Sequence, residues 1–225
     1  MPERLPTRAG RSGAKGRATR ARVLEVATQL IAERGYDAVT MRAIGEAAGL
    51  DNSSLYKHFR GKDELAAAVF DAAAERVVER VRPLEHEDAG LDRFLAVSGE
   101  LAELLMREPQ LARLMLQVLT SPRGSAFDLT IGPGEGDRPS VELFRIVMGW
   151  FVSARRRGVI RRVDVLEVTV SLVALHLVRP ATAGNLLASQ EGGPFSASSR
   201  RARRRELSAF LRGALAPRGD LGGGA

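Results

Sequence analysis

Cysteine is absent from the 225 residues. That rules out disulfides, thiolate metal sites and cysteine nucleophiles. Histidine is nearly absent: His58, His86 and His176 lie far apart and show no metal-ligand spacing. Neither a metal nor a cofactor is expected. Aromatics make up only 5% of the chain, so aliphatic side chains must build most of its core. No run of about 18 apolar residues marks a membrane span, and the first 22 residues lack the apolar stretch of a signal peptide. The expected compartment is therefore the cytoplasm, with no membrane partner. GxSxG, P-loop, GxGxxG and HExxH patterns are also missing. Carboxylate pairs such as Glu85/Glu87 stand in loop-like surroundings, and no catalytic residue is assigned.

Positive charge is present and unevenly placed. Residues 1–62 hold 12 Lys+Arg against 6 Asp+Glu, and the remainder holds 22 against 21. All three lysines, Lys15, Lys57 and Lys62, fall in the first part. A field of this kind suits a polyanion partner.

Periodicity assigns the chain to the all-α class, with about nine helices. Residues 1–18, rich in Gly, Pro, Arg and Ser, read as a disordered basic arm. The arm is compatible with a solvated tail or with a strand of cations following a minor groove through Arg8, Arg11, Lys15 and Arg17. Val23, Val26, Ala27, Leu30 and Ile31 predict a helix from Arg20 to Arg34, ended by Gly35. Thr40 is a predicted N-cap for a short helix to Ala48, and Asp51 for another to about His58, with Gly49 between them. Two short helices joined by a glycine turn after a longer helix form a helix-turn-helix pattern.

Further helices are predicted over Asp63–Arg82, Leu91–Arg107, Pro109–Leu119, Ser140–Arg157, Val165–Val178 and Arg203–Leu215. Ser121–Pro139 and Ala188–Ser199 read as loops, and residues 218–225 as a flexible tail. The predicted domains are 19–62 and 63–217.

Arg20–Lys62 resembles the DNA-binding domain of the TetR family of bacterial transcriptional regulators. VLEVATQLIAERGYDAVT, MRAIGEAAGL, DNSSLYKHF and GKDEL match in order. Gly45 departs from the alanine usual there, and the rest of the chain fits the family only in helix number and length. The resemblance implies an N-terminal three-helix DNA-binding domain and a larger helical domain for ligand binding and dimerisation.

It also implies DNA contacts by Thr40, Arg42, Asn52, Ser53, Ser54, Tyr56, Lys57, His58 and Lys62. The chemistry is consistent. Asn and Ser at the start of a recognition helix can reach base edges, and the basic residues after them can reach phosphates. Packing for Tyr56, plain solvation for Lys57 and a helix-end interaction for His58 stay open.

The implied partners are a near-palindromic double-stranded operator, a second copy of the chain and a small hydrophobic effector. The candidate pocket lining is Phe94, Leu101, Leu105, Met106, Met115, Phe144, Met148, Trp150, Phe151, Leu172 and His176, each of which also fits a plain core position. The candidate dimer seam takes Val168, Leu172 and Leu175 with Leu207, Phe210, Leu211 and Ala214. RRARRR at 200–205 reads as a solvated charged face, and His86 as a loop residue. The implied function is a repressor released by its effector; an activator of the same fold and an effector-free architectural DNA-binding protein are the alternatives.

Overall fold

The structure is a computed structural model, and it describes residues 8–120, 138–186 and 193–217. Among them every regular element is helical. The chain runs through α1 (Arg8–Arg34), α2 (Met41–Ala47), α3 (Asn52–Tyr56) and α4 (Lys62–Val81). A 3-10 turn (Arg82–Glu85) follows, then α5 (Leu91–Arg107), α6 (Pro109–Thr120), α7 (Pro139–Arg156), α8 (Val165–Leu186) and α9 (Ala197–Leu215).

Three boundaries depart from the sequence expectation. The helix expected to start at Arg20 starts at Arg8, so a helical extension replaces the disordered arm over residues 8–18. Apolar periodicity detects only the buried part of a helix. Ala, Arg and Lys prolong it once its nucleus is anchored, against the cost of Gly10, Gly13 and Gly16. The helix expected to stop at Val178 passes through Pro180 to Leu186. The helix expected from Arg203 begins at Ala197, because Ser196 is its cap: Ser196 Oγ accepts from the Ser199 amide at 3.2 Å. The loop predicted over 121–139 and the tail over 218–225 lie almost wholly outside the described residues, as do residues 188–192 of the second loop.

Two short helices hold their shape through their caps. Thr40 Oγ1 accepts from the Ala43 amide at 3.1 Å and starts α2. After α2 the chain reverses at Gly49, whose φ of 64° lies in the left-handed region that glycine alone adopts without penalty. The Leu50 amide then donates back to Gly45 O at 2.8 Å. A Cβ on Gly45 would stand 3.1 Å from Leu50 O, so the tight turn accounts for glycine where the resembled family has alanine.

Helix α4 joins the two halves of the molecule. Its first turns bury Leu65, Ala66 and Val69 among α1 (Val23, Ala27, Ile31), α2 (Ile44) and α3 (Leu55), with Phe59 just beyond α3. Its later turns bury Val77, Val78 and Val81 in the larger bundle. The core is therefore continuous across the expected boundary at residue 62/63. In the bundle, α4 packs on α7, α6 on α8, and α9 along α5, while α1 rests on both α4 and α6.

By length and composition alone Val165–Gly184 is apolar enough to cross a membrane, although Glu167, His176 and Arg179 interrupt any continuous apolar run. Packed against α5, α6 and α7, it is a bundle helix whose apolar circumference has neighbours on several sides.

Candidate functional site

Helix α3 is short and exposed, and it is pinned from beneath. Leu55 and Phe59 are fully buried, while Asn52, Ser53, Tyr56 and Lys57 face outward; Tyr56 is 51% exposed. A packed-aromatic role for Tyr56 is thereby excluded. Ser54 and His58 are half-buried. The Arg20 guanidinium lies 4.5 Å over the Phe59 ring and ties the middle of α1 to the end of this unit.

The first turn of α3 is organised by one carboxylate. Asp51 Oδ1 accepts from the Ser54 amide at 2.7 Å and from the Ser53 hydroxyl at 2.8 Å, and Oδ2 accepts from the Ser54 hydroxyl at 3.1 Å. The Ser54 amide first, then the two hydroxyls, hold the Asp51 carboxyl below its ordinary range. Both serine protons are spent on Asp51, so in this arrangement the serines meet another group as acceptors. Sequence reasoning identified Asp51 as a cap but missed this second consequence.

The surrounding cations are not equivalent. Arg42 is exposed and pairs with Glu46 one turn on, Nε to Oε1 at 2.8 Å. Lys57 is exposed. Lys62 is half-buried: its Nζ donates to Asp37 O at 3.3 Å and lies 4.2 Å over the Tyr36 ring. The Tyr36 hydroxyl donates in turn to Asp63. Burial first, then that bond, pushes the Tyr36 phenol up to about 12, so it stays a protonated donor at neutral pH. Lys62 thus has structural duties besides any external contact.

The second feature is a partly open cavity of about 180 Å³ in the larger bundle, lined by residues of α4, α5, α6, α7 and α8. Of the sequence candidates it is lined by Leu101, Leu105, Met115, Phe144, Leu172 and His176. Phe94, Met106, Met148, Trp150 and Phe151 do not line it. Phe94 and Trp150 stack at 4.2 Å, Phe151 meets both edge-on, and Trp150 Nε1 donates to Ala89 O at 3.0 Å, so these three rings are packed core. Met106 is likewise buried, and Met148 Sδ accepts from Thr169 Oγ1 at 3.2 Å. Sequence reasoning missed Phe70, Val77 and Val81, an α4 stripe that a helical pattern alone cannot distinguish from core. It also missed the rim residue Arg138, which pairs with Asp71 at 3.5 Å.

His176 is the most constrained polar group of the cavity wall. Its Nδ1 lies 2.9 Å from Leu172 O, and its Nε2 lies 3.0 Å from Ser98 Oγ and 3.1 Å from Ser98 O. Burial, the largest influence, holds it below the ordinary histidine value and hence neutral near pH 7. A neutral ring carries one proton, so it satisfies only one of the two carbonyls at a time.

The pH consequence follows from sign. A depressed folded-state value makes the contribution fully present above the unfolded value, about 6.5, and lost as pH falls below it. The expected stability loss between pH 7.5 and 5.5 has a slope of at most about 1.4 kcal/mol per pH unit from this group. Urea melts should show a smaller acid decrement in His176→Gln than in the parent. Equal decrements in the two proteins would count against this role.

The cavity and the DNA-binding unit are joined through α6 and α1. Met115 and Leu119 line the cavity, and Gln117 Nε2 on the same helix donates to Ile31 O at 3.1 Å, in the last turn of α1.

The expected dimer seam is redistributed by the fold. Leu172, Leu207 and Leu211 are buried within their own subunit, and Val168, Leu175 and Ala214 are half-buried. Leu207 and Leu211 face α5 rather than solvent, because a stripe on one helix satisfies the nearest neighbour first. The apolar side chains left outside are Leu166, Val170 and Val178 of α8 and Phe210 of α9; Phe210 is 60% exposed.

Comparison with known proteins identifies the N-terminal unit. Residues 23–69 match the family model for bacterial regulatory proteins of the tetR family. The chain is 32% identical over 108 residues to the HTH-type transcriptional repressor Rv1474c of Mycobacterium tuberculosis, covering 43% of this chain and 56% of that protein. It is 37% identical over 81 residues to the repressor KstR2 of Rhodococcus jostii, covering 36% and 38%. The chain thus spans about half the length of the curated relatives it matches, or less.

Among solved structures, a gamma-butyrolactone receptor (ArpA-like protein) superposes with a TM-score of 0.59 at 25% identity, covering 89% of this chain and 99% of that one. CprB from S. coelicolor A3(2), a TetR family protein, superposes at 0.62 with 21% identity over 90% and 92%. A capped, exposed third helix and the four sequence blocks around it lead to one assignment: residues 23–69 form a DNA-binding domain of the tetR family type, within a fold shared with such proteins.

Proposed function

We propose that the protein is a homodimeric, ligand-responsive DNA-binding regulator, a repressor that leaves a near-palindromic operator when a small apolar molecule fills the cavity. The observation that carries this reading is the pairing of an outward-facing α3 with an apolar cavity whose wall helix, α6, is bonded to α1, the long helix that packs on α2 of the same unit. Relatives named as transcriptional repressors support it.

In this reading Asn52 reads a base edge, and Ser53 and Ser54 accept from base amino groups. Tyr56, Lys57, His58, Arg42, Thr40 and Lys62 position the domain on phosphates. Two copies, joined across Leu166, Val170, Val178 and Phe210, set two α3 helices roughly 34–36 Å apart, one turn of DNA. An effector that enlarges the cavity pushes on the Met115 side of α6. The Gln117–Ile31 link then passes the displacement to α1 and the DNA-binding unit. A coupling of about 1–3 kcal/mol suffices for five- to 150-fold release.

The cavity wall sets the effector's character. Among the described lining residues the charged group is Arg138 at the rim, and Thr169 and His176 are committed to internal bonds. The effector is accordingly apolar and of low charge. Val147→Phe places a ring in the cavity and should leave operator binding intact. The concentration of any releasing compound, found by fluorescence anisotropy in a library of apolar compounds, should rise about tenfold or more. Releasing compounds that are all highly charged, or a variant with unchanged release, would sink the cavity assignment.

A further inference from the structure

Where α8 meets α9, three arginines stand close together without an ion pair among the described residues. Arg179 on α8 and Arg200 and Arg203 on α9 form no ion pair among the described residues. Their acceptors are neutral. Arg179 reaches Ser199 Oγ at 3.4 Å, Arg200 reaches Phe195 O at 2.5 Å, and Arg203 reaches Leu175 O. The nearest described carboxylate, Glu103, is paired with Arg107 at 2.6 Å and Arg204 at 3.6 Å, and Arg200 reaches it only through its field.

Two of the guanidinium groups are also incompletely satisfied. The Nε atoms of Arg179 and Arg200 are buried and have no hydrogen-bond partner. Buried donors left unmade are uncommon and costly. Arg203 is drawn below its ordinary value by burial and then by the charge of Arg179, so two cations share one small region. The cross-links place the groups together: Arg179 contacts the residue next to Arg200, and Arg203 contacts the α8 residue one turn before Arg179. The region lies beside the first turn of α9, a 19-residue helix whose positive end adds to the field.

We propose that Arg179, Arg200 and Arg203 form a binding site for a small phosphate-type oxyanion, held between the C-terminal half of α8 and the first turns of α9. Several acceptor oxygens carrying more than one negative charge match three forked donors better than a single carboxylate does. The site is separate from the apolar cavity and does not depend on the DNA-binding reading. Bound there, the anion fastens α9 to α8, two helices otherwise linked here by the reach of these side chains.

The test uses the full chain and inorganic pyrophosphate as the probe. Isothermal titration at fixed ionic strength should show saturable uptake of one anion per chain, and the melting temperature should rise in pyrophosphate relative to matched sodium chloride. Arg179→Gln and Arg203→Gln should each weaken uptake about tenfold or more. Arg201→Gln, an exposed neighbour on α9, should not. If a glutamine variant fails to fold, Arg179→Lys keeps the charge without the fork and should still bind more weakly than the parent. Uptake that is unsaturable, or that survives Arg179→Gln unchanged because the anion sits on the DNA-facing cations, overturns the proposal. So does a glutamine variant that dissociates the dimer in sedimentation while the parent takes up no pyrophosphate, since the cluster would then belong to a partner copy.

Discussion

Val170→Glu combined with Phe210→Glu is expected to yield a folded monomer that no longer holds its operator. Both side chains are more than half exposed, at 59% and 60%, so neither charge enters the subunit's own core. In the proposed dimer each one enters an apolar seam, and a like charge faces it across the two-fold axis. Losing the second recognition helix removes the gain from binding two half-sites together, an effect on the order of 100-fold or more. Analytical ultracentrifugation and anisotropy on the same samples check both parts. Charging Leu207 or Leu211 instead is expected to unfold the protein, because both are buried against α5. A double variant that stays dimeric moves the interface elsewhere.

Asn52→Ala is expected to cost about 1–3 kcal/mol of operator affinity and to relax preference at the base pair it reads. Asn52 faces outward from the first turn of α3, beside serines whose protons are already given to Asp51. It is therefore the proton donor with most freedom at that end of the helix. Lys57→Ala should behave differently. It should weaken all sequences alike and reduce the salt slope by about 1 per lost contact. Lys62→Ala is predicted to lower stability as well as affinity, because it also removes the contacts to Asp37 O and the Tyr36 ring. If Asn52→Ala kept the full preference while Lys57→Ala changed it, the division between reading and positioning would be reversed.

Much of the DNA-binding unit is legible in the sequence because its signals are local. Thr40 and Asp51 cap the helices they precede, Gly49 turns where a positive φ is needed, and Leu55 and Phe59 point inward at helical spacing. The larger domain is less legible. Phe94, Trp150 and Phe151 carry the composition of a ligand pocket, yet they stack on one another, and the cavity opens beside them toward Phe70, Val77 and Val81. Sequence spacing tells which face of a helix is apolar; it does not tell whether that face meets another side chain or a space. The same ambiguity placed Leu207 and Leu211 in a dimer seam that α5 already occupies. The start of α1 was obscured for the opposite reason: a stretch of Arg, Gly, Ser, Lys and Ala has no apolar residues at helical spacing and leaves no apolar period.

The central claim is that the α3 surface reads DNA as a symmetric pair under control of an apolar ligand. Selection of bound duplexes from a random pool by the full-length protein, followed by footprinting of the enriched sequence, tests it most directly. The account predicts one enriched motif of two inverted half-sites spaced by about one helical turn, protected on one face, with enrichment lost in Asn52→Ala. A pool that shows no motif beyond general affinity for DNA, or a single half-site without symmetry, would contradict it.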